Sequence, residues 1–309
     1  MNKLQPQPQL KGLVYMELFF AQLVNGLQLG SIYALIALGY TMVYGIIKLL
    51  NFAHGDVIMV GGYIAFFALT AGMHPAITVV FTVVGCVIIA GLIYRCAYTP
   101  LGSDAPRISL LIAAIGVSLL LQNLAQFFFS ANMRAFPAGN MMPLINFDIS
   151  GVNVSLVSII TIGVTIVSMA GLWILVQRTK MGKAMRAVSE DKEAAQLMGV
   201  NVKRITLYTF AIGAALAGIG AILFAVRFPS VSPTMGLLPG LKAFIAAVLG
   251  GIGSIPGAMI GGFAIGLFEV LLNALGFSVW ADAMVFGILI VVLLVKPTGI
   301  MGVSMAEKV

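Results

Sequence analysis

Long apolar runs broken by short polar stretches set the pattern of this chain. Segments without Asp, Glu, Lys or Arg cover residues 18–47, 57–73, 76–94, 108–133, 149–177, 205–226, 243–268 and 270–281, the last resuming after Asp282 as far as 295. A hydrocarbon core of about 30 Å takes about 20 helical residues at about 1.5 Å rise each. The pattern therefore predicts an all-α polytopic membrane protein with about eight spanning or near-spanning helices. A barrel would instead show short segments of alternating polarity. The membrane domain reads as one unit over 18–302, behind a polar Pro/Gln-rich leader at 1–17 and before a short tail at 303–309.

Composition supports this reading. With 61% hydrophobic and 9% charged residues and a mean hydropathy of +1.09, the chain has too little polar material to cover a water-soluble globule. The first apolar run is too long for a signal-peptide core. Cys86 and Cys96 lie in or at the end of one run, outside any extracellular cysteine framework, and read as packing residues.

Seven of the seventeen Lys and Arg residues stand between 178 and 204. The positive-inside rule makes that loop cytoplasmic. Counting back by single crossings places Arg107, Arg95 and Lys48 inside, and Arg134 and the amino terminus outside, with Lys3 and Lys11 the exceptions. Past Val226 a Gly- and Pro-rich stretch ends the count and leaves the carboxyl terminus unassigned. The pI near 9.5 reflects membrane edges and lipid headgroups, because the basic residues lack interleaved aromatics or a nucleic-acid module.

Within the basic loop, AVSEDKEAAQLMGVN predicts a short independent helix. Ser189 is its expected N-cap, Glu190 and Asp191 sit beside its positive end, and Gly199 is its stop, leaving about nine residues between caps. Ala194, Leu197 and Met198 then share a face at three- and four-residue spacing. The patch either rests on the chain's own membrane domain or on lipid, or it is a socket for a protein partner.

A second motif, NFAHGDVIMVGGY at 51–63, sets Asn51, His54 and Asp56 between two apolar runs. Asn51, Gly55, Gly61 and Gly62 weaken a continuous helix, so 51–55 reads as a tight non-helical link. Irregular backbone at membrane depth requires protein or a wet cavity around it, where these side chains can hydrogen-bond. A charged carboxylate at mid-membrane costs about 2.5–3.5 kcal/mol on insertion scales, which places Asp56 near the cytoplasmic interface. The link either lines or gates a path or ties two helices together. His54, one of two histidines, makes neither a metal site nor a catalytic base by itself. Near the carboxyl end, Gly257 and Gly261, and Gly262 and Gly266, have the spacing of close helix contacts. Gly250, Gly251 and Gly253 before Pro256 supply the freedom of a broken helix around a substrate, with a re-entrant half-helix expected near 240–256.

Three stretches carry a family resemblance. EAAQLMG at 193–199 is similar to the E-A-A-x-x-x-G core by which ABC importer permeases dock into their ATPases, matching Glu193, Ala194, Ala195 and Gly199. The isoleucine and proline that many such permeases carry further on are replaced here by Thr209, Phe210 and Ala211. YALIALGYTMVYGIIKLLNFAHGD at 33–56 and KAFIAAVLGGIGSIPGAMIGG at 242–262 resemble one branch more specifically, the LivH-type permeases of branched-chain amino acid ABC importers. The resemblance runs from about Val24 to Gly302. It implies a multi-pass protein of the bacterial inner membrane, paired with a LivM-type second permease, two cytoplasmic ATPase subunits and a periplasmic binding protein for leucine, isoleucine and valine. The chain has no G-x-x-x-x-G-K-[ST] motif, so ATP and magnesium are expected on the partner ATPases and no cofactor on this chain.

Rival readings make distinct demands. An ion-coupled carrier needs charged residues facing a central site, and the spans as drawn hold none, with Glu269 and Asp282 at their boundaries. An intramembrane enzyme needs a nucleophile with a base or a metal set. A sibling importer for urea, amides or another amino acid fits the same sequence.

Overall fold

The computed structural model describes residues 8–48, 51–102, 105–149 and 152–302. In chain order the elements are α1 (Pro8–Ile47), α2 (His54–Thr70), α3 (Pro75–Ile93), α4 (Arg107–Phe129), β1 (Arg134–Ala135), α5 (Ala138–Met141), β2 (Asn146–Ile149), β3 (Val152–Ser155), α6 (Leu156–Arg178), α7 (Lys180–Glu190), α8 (Lys192–Leu197), α9 (Val202–Arg227), β4 (Ser230–Val231), α10 (Leu237–Gly250), α11 (Ile255–Ala274) and α12 (Ala281–Val295). Among these residues seven helices are long and apolar enough to cross a membrane, counting the turns that extend α3 to Leu101 and α12 back to Ser278. The shorter apolar helices α2 and α10 complete the bundle.

Local chemistry explains where the helices start and stop. Pro75 and Pro256 sit in the first turns of α3 and α11, where a missing N–H costs nothing, and Ser254 and Ser155 cap α11 and α6 by accepting backbone N–H bonds. Lys48, at φ +59°, ends α1 in the left-handed region.

The core forms where α1 threads the bundle. From Ile32 to Leu38 its side chains are almost wholly buried. Small residues allow the approach: a β-carbon on Gly30 would stand 2.7 Å from the Phe263 Cα of α11, and one on Gly213 of α9 would stand 3.3 Å from the Gly39 oxygen. These contacts make α1 antiparallel to both α9 and α11. On one side of the bundle the end of α1 at Gly45 meets Gly253, and α7 and α8 pack alongside. That side carries the basic loop, the side expected from its charge to be cytoplasmic and so named below. The other side carries two small antiparallel pairs, β1 with β4 and β2 with β3.

Several sequence expectations change here. The uncharged run 243–268 is not one span, because a turn at Gly251 (φ +104°) and Gly253 (φ +99°) divides it into the end of α10 and the start of α11. The half-helix is present, but as Leu237–Gly250, and it does not return to its side of entry. The chain enters from the β4 side, and α10 carries it on to the side of the basic loop. The last described residues lie there too, since Ile300 N–H donates to Leu249 O and Met301 N–H to Gly250 O. Residues 8–17 of the expected leader are helical and continuous with α1. Residues 1–7 and the tail at 303–309 lie outside the described residues.

Candidate functional site

The non-helical link ends earlier than the sequence suggested, before His54, and lies deeper. His54, Gly55 and Asp56 form the first turn of α2, and among the described residues Lys48 and residues 51–53 stand outside helix. His54 stands level with Gly39 and Gly213, because a β-carbon on Gly39 would lie 2.7 Å from its ring Cε1 and 3.0 Å from the Gly213 oxygen. Gly213 comes eleven residues after Val202 in a 26-residue helix, about 16 Å in at about 1.5 Å per residue. The chain therefore re-enters the bundle before α2 begins, and α2 is a half-helix starting near mid-depth.

This overturns the interfacial placement of Asp56. The residue is 3% exposed and its Oδ1 accepts a 2.8 Å hydrogen bond from Gln122 Nε2, fifteen residues past Arg107 in α4. The insertion penalty is reduced, though not cancelled, by burial in protein, by the donor from α4 and by the positive end of α2.

The second half-helix starts at the same place. A β-carbon on Gly55 would lie 2.8 Å from Gly236 O, and one on Gly240 would lie 2.9 Å from Gly55 Cα, so α2 and α10 begin backbone to backbone. No side chain caps the start of α10. Beside this crossing is a cavity of about 250 Å³ lined by Tyr40, Phe52, Asp56, Ser118, Gln122 and Leu241, among others.

The remaining predicted residues divide by position. Asn51 is buried, and its Oδ1 accepts from Tyr98 O–H at 3.0 Å. His54 is buried against Tyr40, ring centroids 4.6 Å apart, and does not line the cavity. Gly250, Gly251 and Gly253 lie at the cytoplasmic end of α10, away from the crossing. A β-carbon on Gly251 would run into the Gly302 backbone and one on Gly250 into Gly257 O, so these glycines permit a tight turn. The helix break that matters for the cavity is at Gly236.

The cytoplasmic loop folds as two helices. Asp191, not Ser189, caps α8, its carboxylate accepting from Ala194 N–H at 3.0 Å, while Ser189 lies inside α7 and donates to Arg186 O. The helix has six residues, not nine. Asp191 wins because the extended backbone at that position (φ −152°) breaks α7 from α8 and frees its side chain to cap. Glu193 and Ala194 are exposed on α8, Gly199 ends it at φ +85°, and Ala195 is buried under it. Leu197 and Met198 are 89% and 84% exposed, an apolar tip projecting from the cytoplasmic side.

One cluster escaped the sequence reading. Lys242 of α10 is 5% exposed and its Nζ lies 2.8 Å from Glu269 Oε1 of α11 and 2.6 Å from Asp282 Oδ1 of α12. Tyr33 of α1 donates to Glu269 Oε2 at 2.9 Å. The spans are thus not free of charge. These residues are mutually paired and fasten four helices together. The available signal was a single lysine and a single glutamate, each flanked by apolar residues on both sides.

Comparison with known proteins matches residues 22–294 to the family described as branched-chain amino acid transport system, permease component. The high-affinity branched-chain amino acid transport permease protein BraD of Pseudomonas aeruginosa is 43% identical over 94% of this chain and 98% of its own length. LivH of Escherichia coli K12, the corresponding permease protein, is 42% identical over the same shares. A metal-chelate type ABC transporter in an inward-facing conformation shares the fold at a TM-score of 0.51 and 17% identity, over 94% of this chain and 91% of that one.

Proposed function

We propose, given that this chain belongs to the family of branched-chain amino acid transport system permease components, that it forms one half of the membrane channel of an ATP-driven importer for leucine, isoleucine and valine in the bacterial inner membrane. The observation that carries the reading is its 43% identity, over nearly its whole length, to a permease of that transport class.

The geometry supports a division of labour. The exposed tip of α8 at Leu197 and Met198 is the surface on which a cytoplasmic ATPase docks, and it is rigidly coupled to the bundle. Met185 and Val188 of α7 and Ala195 of α8 are buried in the core that also contains α1 and α9. A push on α8 is therefore passed to the helices that enclose the half-helix crossing. This chain supplies the path; two ATPase subunits bind ATP and magnesium, a LivM-type permease supplies the other half, and a periplasmic binding protein delivers the substrate. No cofactor belongs to this chain. The charged cluster at Lys242 holds helices together and does not couple ions.

An affinity-tagged copy, solubilised mildly from the membrane, is expected to bring down two ATPase chains and a second permease. The binding protein of that complex should take up leucine, isoleucine or valine in a ligand screen. Recovery without an ATPase, or a binding protein selective for another class of solute, contradicts the reading.

A further inference from the structure

The cavity beside the α2–α10 crossing is mixed in character. Its lining combines apolar side chains, among them Phe52, Ile115, Leu119, Leu237 and Leu241, with the polar groups of Asp56, Ser118 and Gln122. Its 250 Å³ corresponds to about eight water molecules at about 30 Å³ each, room for one small amino acid and little more.

Asp56 is the unusual member. It is buried near mid-depth, yet among the described residues the ion pairs are those of Lys242 with Glu269 and Asp282, and none involves Asp56. Gln122 and Ser118 both hydrogen-bond to it but carry no charge. The amino end of α2 offers only about half an elementary charge. A carboxylate at this depth is thus incompletely neutralised, and groups of that kind inside a membrane domain mark solute pathways.

We propose that this cavity is a transit site for the substrate inside the permease, with Asp56 receiving the ammonium group of an aliphatic amino acid and the apolar side chains of the lining receiving its side chain. The proposal rests on the substrate class given above and adds a contact to it. Gln122, itself tied to Ser118 at 3.2 Å, positions the carboxylate. The cation completes the charge balance only when substrate is present, so the site favours a zwitterion over the corresponding carboxylic acid.

The test uses the whole complex, with its second permease, ATPases and binding protein, in proteoliposomes. Asp56→Asn keeps the size and the Gln122 bond but removes the charge. It is expected to cut labelled leucine uptake per assembled complex at least tenfold at unchanged yield, and Asp56→Glu to recover part of the loss. Labelled leucine should also bind the wild-type complex without binding protein, competed by valine and not by 4-methylpentanoate, which lacks the amine. Wild-type uptake by Asp56→Asn, or equal competition by 4-methylpentanoate, overturns the proposal. So does a loss that only follows complex yield, or departure of the second permease, since Asp56 would then be a structural tie or a subunit contact. If the wild-type complex carries no branched-chain amino acid, the substrate reading falls and this site with it. Leucine transport that survives Asp56→Asn removes the site alone.

Discussion

Replacing Gly236 by alanine tests the meeting of the two half-helices, on which the path through this chain depends. A β-carbon there would drive into the carbonyl oxygen of Gly55 and stand 3.2 Å from the Met59 nitrogen. Both obstacles are backbone, so no rotamer change relieves them. Reaching an ordinary contact of about 3.5 Å requires the two helix starts to part by at least about 1 Å. Overpacking of this kind costs about 1–3 kcal/mol, and with backbone against backbone the upper end applies. Gly236 precedes α10, so alanine gains nothing there from helix propensity. Gly163, inside α6 with nothing within 4 Å of a β-carbon, is the control, where alanine should gain about 0.5–1 kcal/mol. The two variants should thus differ by about 3.5–4 kcal/mol, a melting difference of about 5 °C or more for the solubilised protein. Equal melting temperatures would refute the close crossing.

Three further outcomes follow from the same geometry. Leu197→Asp with Met198→Asp changes only exposed atoms and should keep bundle stability while abolishing ATPase association in a pull-down; Ala195→Asp, which buries a charge under α8, should instead lower the yield of folded protein. Lys242→Met leaves Glu269 buried without its cation and should cost about 3 kcal/mol or more by thermal unfolding, much of it restored by adding Glu269→Leu. His54→Gln disturbs a ring wedged between Gly39 and Tyr40, so membrane yield and uptake should fall in parallel; normal yield with lost uptake would make His54 part of the path.

The spans were legible because length and hydropathy act over about twenty residues at once. What depends on single contacts was less so. Ser189 and Asp191 are both good caps, and only the break between α7 and α8 decides between them. Asp56 was assigned to an interface because an insertion scale describes an isolated helix in lipid. The tertiary partner that offsets the cost, Gln122, lies 66 positions away. Lys242 and Glu269 were taken as the ends of spans because a lone charge normally ends one, and their pairing appears only when α10 folds back on α11. The glycines illustrate the same limit: 250, 251 and 253 promised a broken helix, and the break that shapes the cavity is fifteen residues earlier in sequence, at the start rather than the end of α10.

The central claim, that this chain is the conduit of an ATP-driven amino-acid importer, is tested most directly by its energy source. The assembled complex in proteoliposomes, supplied with loaded binding protein, should accumulate labelled leucine when ATP is provided on the ATPase side and the proton and sodium gradients are collapsed by ionophores, and should stop when ATP is withdrawn. Uptake that ignores ATP and follows an imposed proton or sodium gradient would contradict the account.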